Sequence, residues 1–516
     1  MPEETAAEGP EPDRSPWPVR HRWELAVAAI ALVAGVALRW WILGTVLGGP
    51  DMDEATVGIQ AQRFGDGHLN AFFLNQGYGG TLETALVAGV FQVAGSSTVA
   101  LKVVPMVLAL VAAAITRQLA VELELSRTAR WCAPALVWCG PAYAVLFSTK
   151  ERGFYGVALV LAAAVPTLAV RLSKRPLRRD ALLLGLCLGV GFWTTPLTLA
   201  VAIPAVAWLV AVRPQVVGEL WGAAVVAVVG AVPWLWWNVA NGWDSLDGVA
   251  TFGTSWWDRF FDWAARQGVV MGIETPFVDD RRLVDWRWAG LAALVVLLVV
   301  ATRRTNWEAP WFFVTMVVGY GVLYAANGLA AGVGADPRYT YLMVPVVAVA
   351  IAACLPDLST DVARFALSVV VVGLAVGTTA WGLAGTRDEA RRAHPNRFLA
   401  SPGIEEVAEL LEREGVDAVI SDTAGMQLAF LTDEAVVGSS FAVPRLDRYE
   451  VLARIEDPST YVLDETLLDN HEVLRFHLVA NDIGFRELDI GTWRVFLIDE
   501  RVLPGDAGLF VFGGQL

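Results

Sequence analysis

Lysine is almost missing from this sequence: three residues, Lys102, Lys150 and Lys174, in a chain of 516. Charged residues of all kinds reach only 18%, against 55% hydrophobic, too little polar surface for an ordinary soluble enzyme. The formal net charge is −15, mostly carried by the C-terminal part. A nucleic-acid surface needs clustered Lys and Arg, so no nucleic acid is expected as a partner. The four cysteines, Cys132, Cys139, Cys187 and Cys354, lie in apolar stretches without metal-ligand spacing. They read as buried free thiols and exclude a disulfide framework. No Gly-rich phosphate loop stands at a strand-to-helix turn, which leaves nucleotide binding without support. The preference for Arg, Ala, Val and Gly over Lys fits a GC-rich bacterial genome.

What the chain has in abundance is apolar length. A run of roughly 20 apolar residues crosses a ~30 Å hydrocarbon core as one helix. Spans are expected at 24–46, 98–118, 131–148, 154–171, 181–195, 197–212, 220–239, 288–302, 310–327, 341–356 and 365–384, about eleven in all. No small-residue cleavage site follows a short apolar core in the Pro/Glu-rich tail, so the first span reads as an anchor. Basic residues then sort the loops. Arg14, Arg20 and Arg22, then Arg117, Arg127 and Arg130, then Arg171, Lys174, Arg175, Arg178 and Arg179, then Arg213, Arg303, Arg304 and Arg364 fall on alternate sides. The positive-inside rule makes that side cytoplasmic. Loops 47–97, 149–153, 240–287 and 328–340, with everything after 385, become extracytoplasmic. Thr81 to Ala94 is apolar but about fourteen residues long, a length suited to an interfacial helix.

After Thr386 the pattern turns soluble. Helices are expected at Ile404 to Glu414, Ala424 to Leu431 and Leu467 to Asn481. Strands are expected at Ala418 to Ser421, Ala435 to Val437, Thr460 to Leu463, Arg486 to Ile490 and Trp493 to Ile498. Alternation of this kind argues for a small α/β domain. The fold class is therefore a polytopic α-helical membrane protein with a C-terminal extracytoplasmic α/β domain. Its parts are a cytoplasmic tail (1–23), a transmembrane domain (24–384) with a catalytic first external loop (47–97), and the α/β domain (385–516).

The chemistry-bearing residues collect in the external loops. Asp51-Met52-Asp53-Glu54 opens a short helix that Gly65-Asp66-Gly67 ends. One reading is an N-capping acid on an interfacial helix. The other is a general base, because three carboxylates within four residues repel one another, raising one pKa or recruiting a cation. The turn Lys150-Glu151-Arg152-Gly153-Phe154-Tyr155 reads as a salt-bridged interfacial knot or as a phosphate site built on Arg152. Asp336-Pro337-Arg338-Tyr339 offers a topological anchor and aromatic-belt residue, or a third piece of the same site. Loop 240–287 carries Trp243, Trp256, Trp257, Phe260, Phe261, Trp263 and Trp286 with Asp244, Asp258, Asp262, Asp279, Asp280, Arg281 and Arg282. It reads as an amphipathic interfacial helix from Ser255 to Gln267, or as a lid whose aromatic rings stack on sugars.

These residues resemble the GT-C superfamily of polyprenyl-phosphate-sugar-dependent glycosyltransferases, in the branch of protein O-mannosyltransferases and lipid A aminoarabinose transferases. The likeness covers about residues 24 to 355 and rests on Asp53-Glu54, Gly95 to Leu101, Glu151 to Tyr155, and Arg338-Tyr339 followed by Pro345. It implies an inverting transfer from a polyprenyl-phosphate sugar donor to a hydroxyl-bearing glycan, lipid or protein acceptor at the membrane lipid surface. By carry-over Asp53 is the base, Glu54 helps hold the acceptor, Arg152 and Arg338 neutralise the phosphate with Lys150 beside them, and Glu151 is a second acid. Asp51, Tyr155 and Tyr339 are placed with the substrate. Where many relatives carry a Lys-Pro or His-Pro-Pro step, this chain has Asn75 to Glu83, and Gln76, Tyr78 and Glu83 become candidates for sugar contact. No cofactor is specified, and a divalent cation is left open. Two rival classes remain. One is a transporter or flippase of lipid-linked sugars, against which the spans lack buried charges and matched inverted halves. The other is a catalytically silent scaffold.

Overall fold

The computed structural model describes residues 22–246, 255–275, 288–304, 310–326, 337–391, 402–441, 444–466 and 469–509. Expectations for residues 1–21, Asp279, Asp280, Arg281, Arg282, Trp286 and Asp336 fall outside them. In chain order the membrane part holds α1 (Arg22–Leu43), α2 (Met52–Gly65), α3 (Leu82–Ala94), α4 (Thr98–Glu122), α5 (Arg127–Cys139), α6 (Ala142–Phe147), α7 (Tyr155–Lys174), α8 (Arg178–Thr194) and α9 (Leu199–Val212). It continues with α10 (Val217–Gly230), α11 (Val232–Ala240), α12 (Trp256–Ala265), α13 (Gln267–Val270), α14 (Ala289–Arg304), α15 (Pro310–Ala326), α16 (Val344–Ala353) and α17 (Asp361–Arg391).

Every expected span coincides with helix, and the protein is a multi-pass membrane protein. Among the described residues, α1, α4, α7 and α17 are each long and apolar enough to cross a membrane, and α9 with α10 qualifies as a pair bent by 114°. The expected count of about eleven is not reached by helix length alone. Segment 131–148 is two helices, because Pro141 has no N–H to continue the α5 ladder and instead begins α6. Segment 220–239 breaks at Gly230–Ala231, with a proline in the first turn of α11. Segment 341–356 starts as a 3-10 turn, Pro337–Met343. Helix α17 runs to Arg391, so the domain boundary placed at 385 lies inside it.

Two side chains overturn the reading that the spans lack buried charge. Arg39 on α1 is 2% exposed and Lys102 on α4 is 0% exposed. One charge disappears in the average over a long apolar window, which is why hydropathy missed both. Arg39 donates to the carbonyl of Trp138 at 2.9 Å and to Ser148 Oγ at 2.6 Å, with its guanidinium 3.7 Å from the Trp138 ring centre. Several loops expected to share the cytoplasmic side do meet. Arg127 pairs with Glu24 at 2.7 Å, Arg171 with Glu122 at 2.9 Å, and Arg213 donates to the carbonyl of Ser173 at 3.3 Å.

The C-terminal part adds α18 (Ile404–Glu414), β1 (Ala418–Ser421), α19 (Gly425–Leu431), β2 (Val437–Ser440), α20 (Asp447–Ile455), β3 (Thr460–Asp464), α21 (Asn470–Ala480), β4 (Phe485–Ile490) and β5 (Trp493–Ile498). The sheet order is β2-β1-β3-β5-β4, parallel where β1 meets β2 and β3, antiparallel across β5. Side chains alternate across it as a strand period of two requires. Val419, Val462 and Val495 face α18 and α19, while Ile420, Tyr461 and Phe496 face α21. The strand expected at Ala435 starts at Val437, because Asp433 and Glu434 turn at positive φ and Val436 N–H caps back to Thr432 Oγ1 at 2.9 Å. Helix α20 was not foreseen, although Leu446, Tyr449, Leu452 and Ala453 recur at helical spacing on its packed side.

Helices α2 and α3 pack with the C-terminal domain in one apolar cluster containing Ala55, Ile59, Phe91, Met426, Ala429, Phe430 and Tyr449. Loop 47–97 thus lies between membrane helices and the α/β domain.

Candidate functional site

The site starts from the cap of α2. Asp51 is the N-cap: its Oδ1 accepts from Glu54 N at 3.0 Å, and Glu54 Oε2 accepts from Asp51 N at 3.2 Å, a reciprocal capping box. This geometry aims the three acids differently. Asp51 and Glu54 turn inward, 1% and 0% exposed, while the Asp53 side chain stays 21% exposed.

The buried pair meets the turn after α6. Asp51 Oδ2 accepts from Lys150 Nζ at 3.2 Å and Arg152 Nη2 at 2.7 Å. Glu54 accepts from Lys150 Nζ at 2.8 Å, from Glu151 N at 3.0 Å, and from Lys102 Nζ of α4. Crowding was expected to raise one acid's pKa or recruit a cation, and Asp51 shows the opposite shift. Burial alone would raise its carboxyl, but Arg152 and Lys150 hold it below the usual carboxylate range. Lys150 is in turn held above the ordinary lysine value against burial by Asp51 and Glu54. Among the described residues, no group of three or more His, Cys, Asp or Glu side chains could hold a metal ion, and these acids are already matched to basic side chains.

Asp53 looks the other way, into a cavity of about 690 Å³. Its wall brings together Asp53, Arg152, Arg338, Gln76, Tyr78, Tyr155 and Tyr339 from the sequence expectations. Asp51, Glu54, Glu83, Lys150 and Glu151 lie behind this wall and do not line it. Arg152 Nη1 is 3.7 Å from Asp53 Oδ2. Gly153 follows at φ +85°, and a Cβ there would stand 2.8 Å from the Phe73 ring. Only glycine lets the chain turn so tightly after Arg152. Phe154 of the charged turn and Asp244 of loop 240–287 also face the cavity, as do Thr195 and Ser245, which were not foreseen. Thr195 and Ser245 carry no charge and follow no motif, so the sequence held no signal for them.

Glu83 and Glu151 form a second, buried carboxyl pair. Glu83 Oε2 accepts from Val157 N and Glu151 Oε1 from Gly153 N, both at 2.9 Å. Glu83 Oε1 and Glu151 Oε2 have no other partner among the described residues. Burial pushes the Glu83 carboxyl up to about 7, and burial together with Glu83 pushes Glu151 well above the ordinary value. A proton between the two satisfies both. A raised carboxyl pKa costs nothing below the unfolded value near 4.5, costs progressively more as pH rises, and costs in full above the folded value. Glu83→Gln should therefore flatten the fall in melting temperature between about pH 4.5 and pH 7. Parallel melting curves for parent and variant across that window would refute the shared proton.

Compared by sequence, the chain matches no family model and no curated protein. Compared by structure, it is similar to ArnT from Cupriavidus metallidurans. The form bound to undecaprenyl phosphate aligns over 93% of this chain and 98% of that one, at TM-score 0.63 and 12% identity. The apo form aligns over 96% and 100%, at TM-score 0.64 and 12% identity. An identity so low carries the fold and nothing more, and the fold on which this chain is built is the one seen in ArnT.

Proposed function

We propose that this protein is an integral-membrane glycosyltransferase that moves a sugar from a polyprenyl-phosphate donor to a hydroxyl acceptor on the extracytoplasmic face, with inversion. The observation that carries this reading is one cavity wall holding Asp53, Arg152 and Arg338 together with the aromatic rings of Tyr78, Tyr155 and Tyr339. The likeness to an ArnT solved with undecaprenyl phosphate bound supports it.

Asp53 takes the proton of the acceptor hydroxyl as that oxygen attacks the anomeric carbon. The bond from that carbon to the phosphate oxygen breaks, and its electron pair leaves with the polyprenyl phosphate. Arg152 and Arg338 neutralise the charge that develops there, which counts most where water is excluded. A second cavity of about 300 Å³ shares Phe73, Asn75, Gln76, Gly77 and Asp244 with the first, leaving room for an acceptor beside the donor. Glu54, Lys150 and Asp51 act one layer back: they fix the start of α2 against the turn that carries Arg152.

Arg338 gives a test of phosphate binding that leaves the Arg152–Asp51 pair in place. Losing a charge-assisted hydrogen bond to phosphate costs about 1.5–3 kcal/mol. Arg338→Ala should weaken undecaprenyl-phosphate binding about 10- to 100-fold, and Arg338→Lys should recover only part because the planar fork is lost. Binding is measured with the purified chain in lipid nanodiscs. Unchanged affinity in Arg338→Ala would remove that residue from the phosphate site. If the parent binds and turns over no polyprenyl-phosphate monosaccharide while an active relative does, the reading gives way to the transporter or scaffold class.

A further inference from the structure

Asp53 is also approached from a side that the membrane helices do not form. Arg445, between β2 and α20 of the C-terminal domain, places Nη2 3.4 Å from Asp53 Oδ1 and Nη1 3.4 Å from the carbonyl of Leu74. Its guanidinium lies 5.1 Å from the centre of the Phe73 ring, and the residue is only 8% exposed. Asp53 is thus bracketed, with Arg152 toward Oδ2 and Arg445 toward Oδ1.

The domain that supplies Arg445 is fastened to the first loop at several points. Asn75 Nδ2 donates to the carbonyl of the neighbouring Pro444 at 2.8 Å, and Gln427 Nε2 to that of Pro50, just before the α2 cap, at 3.2 Å. Arg63 pairs with Glu434 at 3.2 Å and Gln62 bonds Asp433 at 2.8 Å. Phe430 fills the notch left by Gly58, where a Cβ would stand 2.4 Å from its ring. This is a shaped and largely apolar contact, with the Arg445 head at the end nearest Asp53.

We propose that Arg445 is a positioning residue for Asp53, which makes the α/β domain a constituent of the active site. The inference rests on the base role given to Asp53 above. Arg445 does not line the cavity, so it is not placed to hold the donor phosphate. Arg152 does line it and turns toward an incoming phosphate, loosening its 3.7 Å contact with Asp53. Arg445 is then the cation that keeps the carboxylate in one orientation, one oxygen engaged and the other presented to the acceptor hydroxyl. A guanidinium fixed on both Leu74 O and Asp53 does this better than an ammonium, which is a single point charge.

The test compares the full-length parent, Asp53→Asn, Arg445→Ala, Arg445→Lys and Glu434→Ala in nanodiscs. The probes are radiolabelled undecaprenyl-phosphate mannose, glucose and arabinose for turnover, and undecaprenyl phosphate for binding, with melting temperature measured alongside. Misplacing a reacting group by about 1 Å costs about 10²-fold. Arg445→Ala should therefore lose about 10²-fold in kcat with donor KM and undecaprenyl-phosphate affinity unchanged. Arg445→Lys, and millimolar guanidinium added to Arg445→Ala, should each restore part of the rate. Glu434→Ala, which cuts the same interface elsewhere, should keep the parent's kcat. A parental kcat in Arg445→Ala overturns the proposal, as does a loss that neither lysine nor guanidinium restores and that accompanies a lowered melting temperature. If Arg445→Ala does not fold, Arg445→Gln takes its place under the same criteria. If Asp53→Asn keeps the parent's rate, the base assignment itself has failed; if Asp53→Asn is silent while Arg445→Ala is at the parent's rate, only the positioning role has.

Discussion

Asp53→Asn should lower sugar transfer by about 10²- to 10⁴-fold, the span of a positioned general base, while undecaprenyl-phosphate binding stays at the parent's level. The reason lies in which acid faces the cavity. Asp51 and Glu54 are committed to the cap of α2 and to Lys102, Lys150 and Arg152. Asp53 alone of the three lines the cavity wall. Asparagine keeps the shape and an acceptor oxygen for Arg445 and Arg152 but cannot take the acceptor's proton. The loss should therefore appear in kcat and not in donor affinity, since the function proposed above gives the donor phosphate to the arginines. The measurement is initial rate against donor concentration for parent and variant in nanodiscs. A variant within experimental error of the parent would exclude Asp53 as the base. A variant that binds no donor would reassign it to substrate binding.

Glu54→Gln should destabilise the protein by about 3–5 kcal/mol, the cost of removing one partner from a buried ion pair. Lys102 and Glu54 are both fully buried, one on α4 and one on α2. Without the carboxylate, Lys102 is left buried without its compensating charge, while glutamine can still return the capping-box bond to Asp51 N. The double variant Glu54→Gln/Lys102→Met should recover most of that stability, because replacing both members of a buried pair with uncharged groups of similar shape is often close to neutral. Thermal unfolding of the two single variants and the double variant gives the coupling directly. Additive losses would mean the pair carries no such coupling. The double variant also settles what Glu54 does: if it melts like the parent and still transfers sugar, Glu54 acts through structure and not on the acceptor.

Much of the fold was legible because it follows from local patterns. Apolar length marked the helices, and Asp51 ahead of Met52 to Gly65 marked the start of α2. Ser255 and Asp258 cap α12, the amphipathic helix expected from Ser255 to Gln267. In the α/β domain, β1 and β5 were expected at the bounds where they occur. The breaks at Pro141 and near Gly230 were harder, since a bend inside a long apolar run changes no average.

The site was legible only in its membrane half. Asp53, Arg152, Arg338, Tyr78, Tyr155 and Tyr339 are charged or aromatic and stand out in apolar surroundings, and together with Gln76, picked for its hydrogen-bonding amide, they line one cavity. The inward direction of Glu54, Lys150 and Glu83 was not legible, because neighbours on a helix or turn face different ways and the sequence records only their order. Arg445 was invisible for a related reason. It lies 392 residues from Asp53, in a soluble-looking segment where arginines are ordinary.

By itself the sequence determined that this chain is a multi-pass membrane protein with a small α/β domain and a set of acids and arginines in its loops. Hydropathy and strand or helix period act over a few residues, so they can be read along the chain. Only the tertiary structure decided which acid is exposed, which cations are consumed by pairing, and that the C-terminal domain reaches Asp53. Those outcomes depend on burial and on distances of about 3 to 4 Å between distant segments, over which ion pairs and hydrogen bonds act.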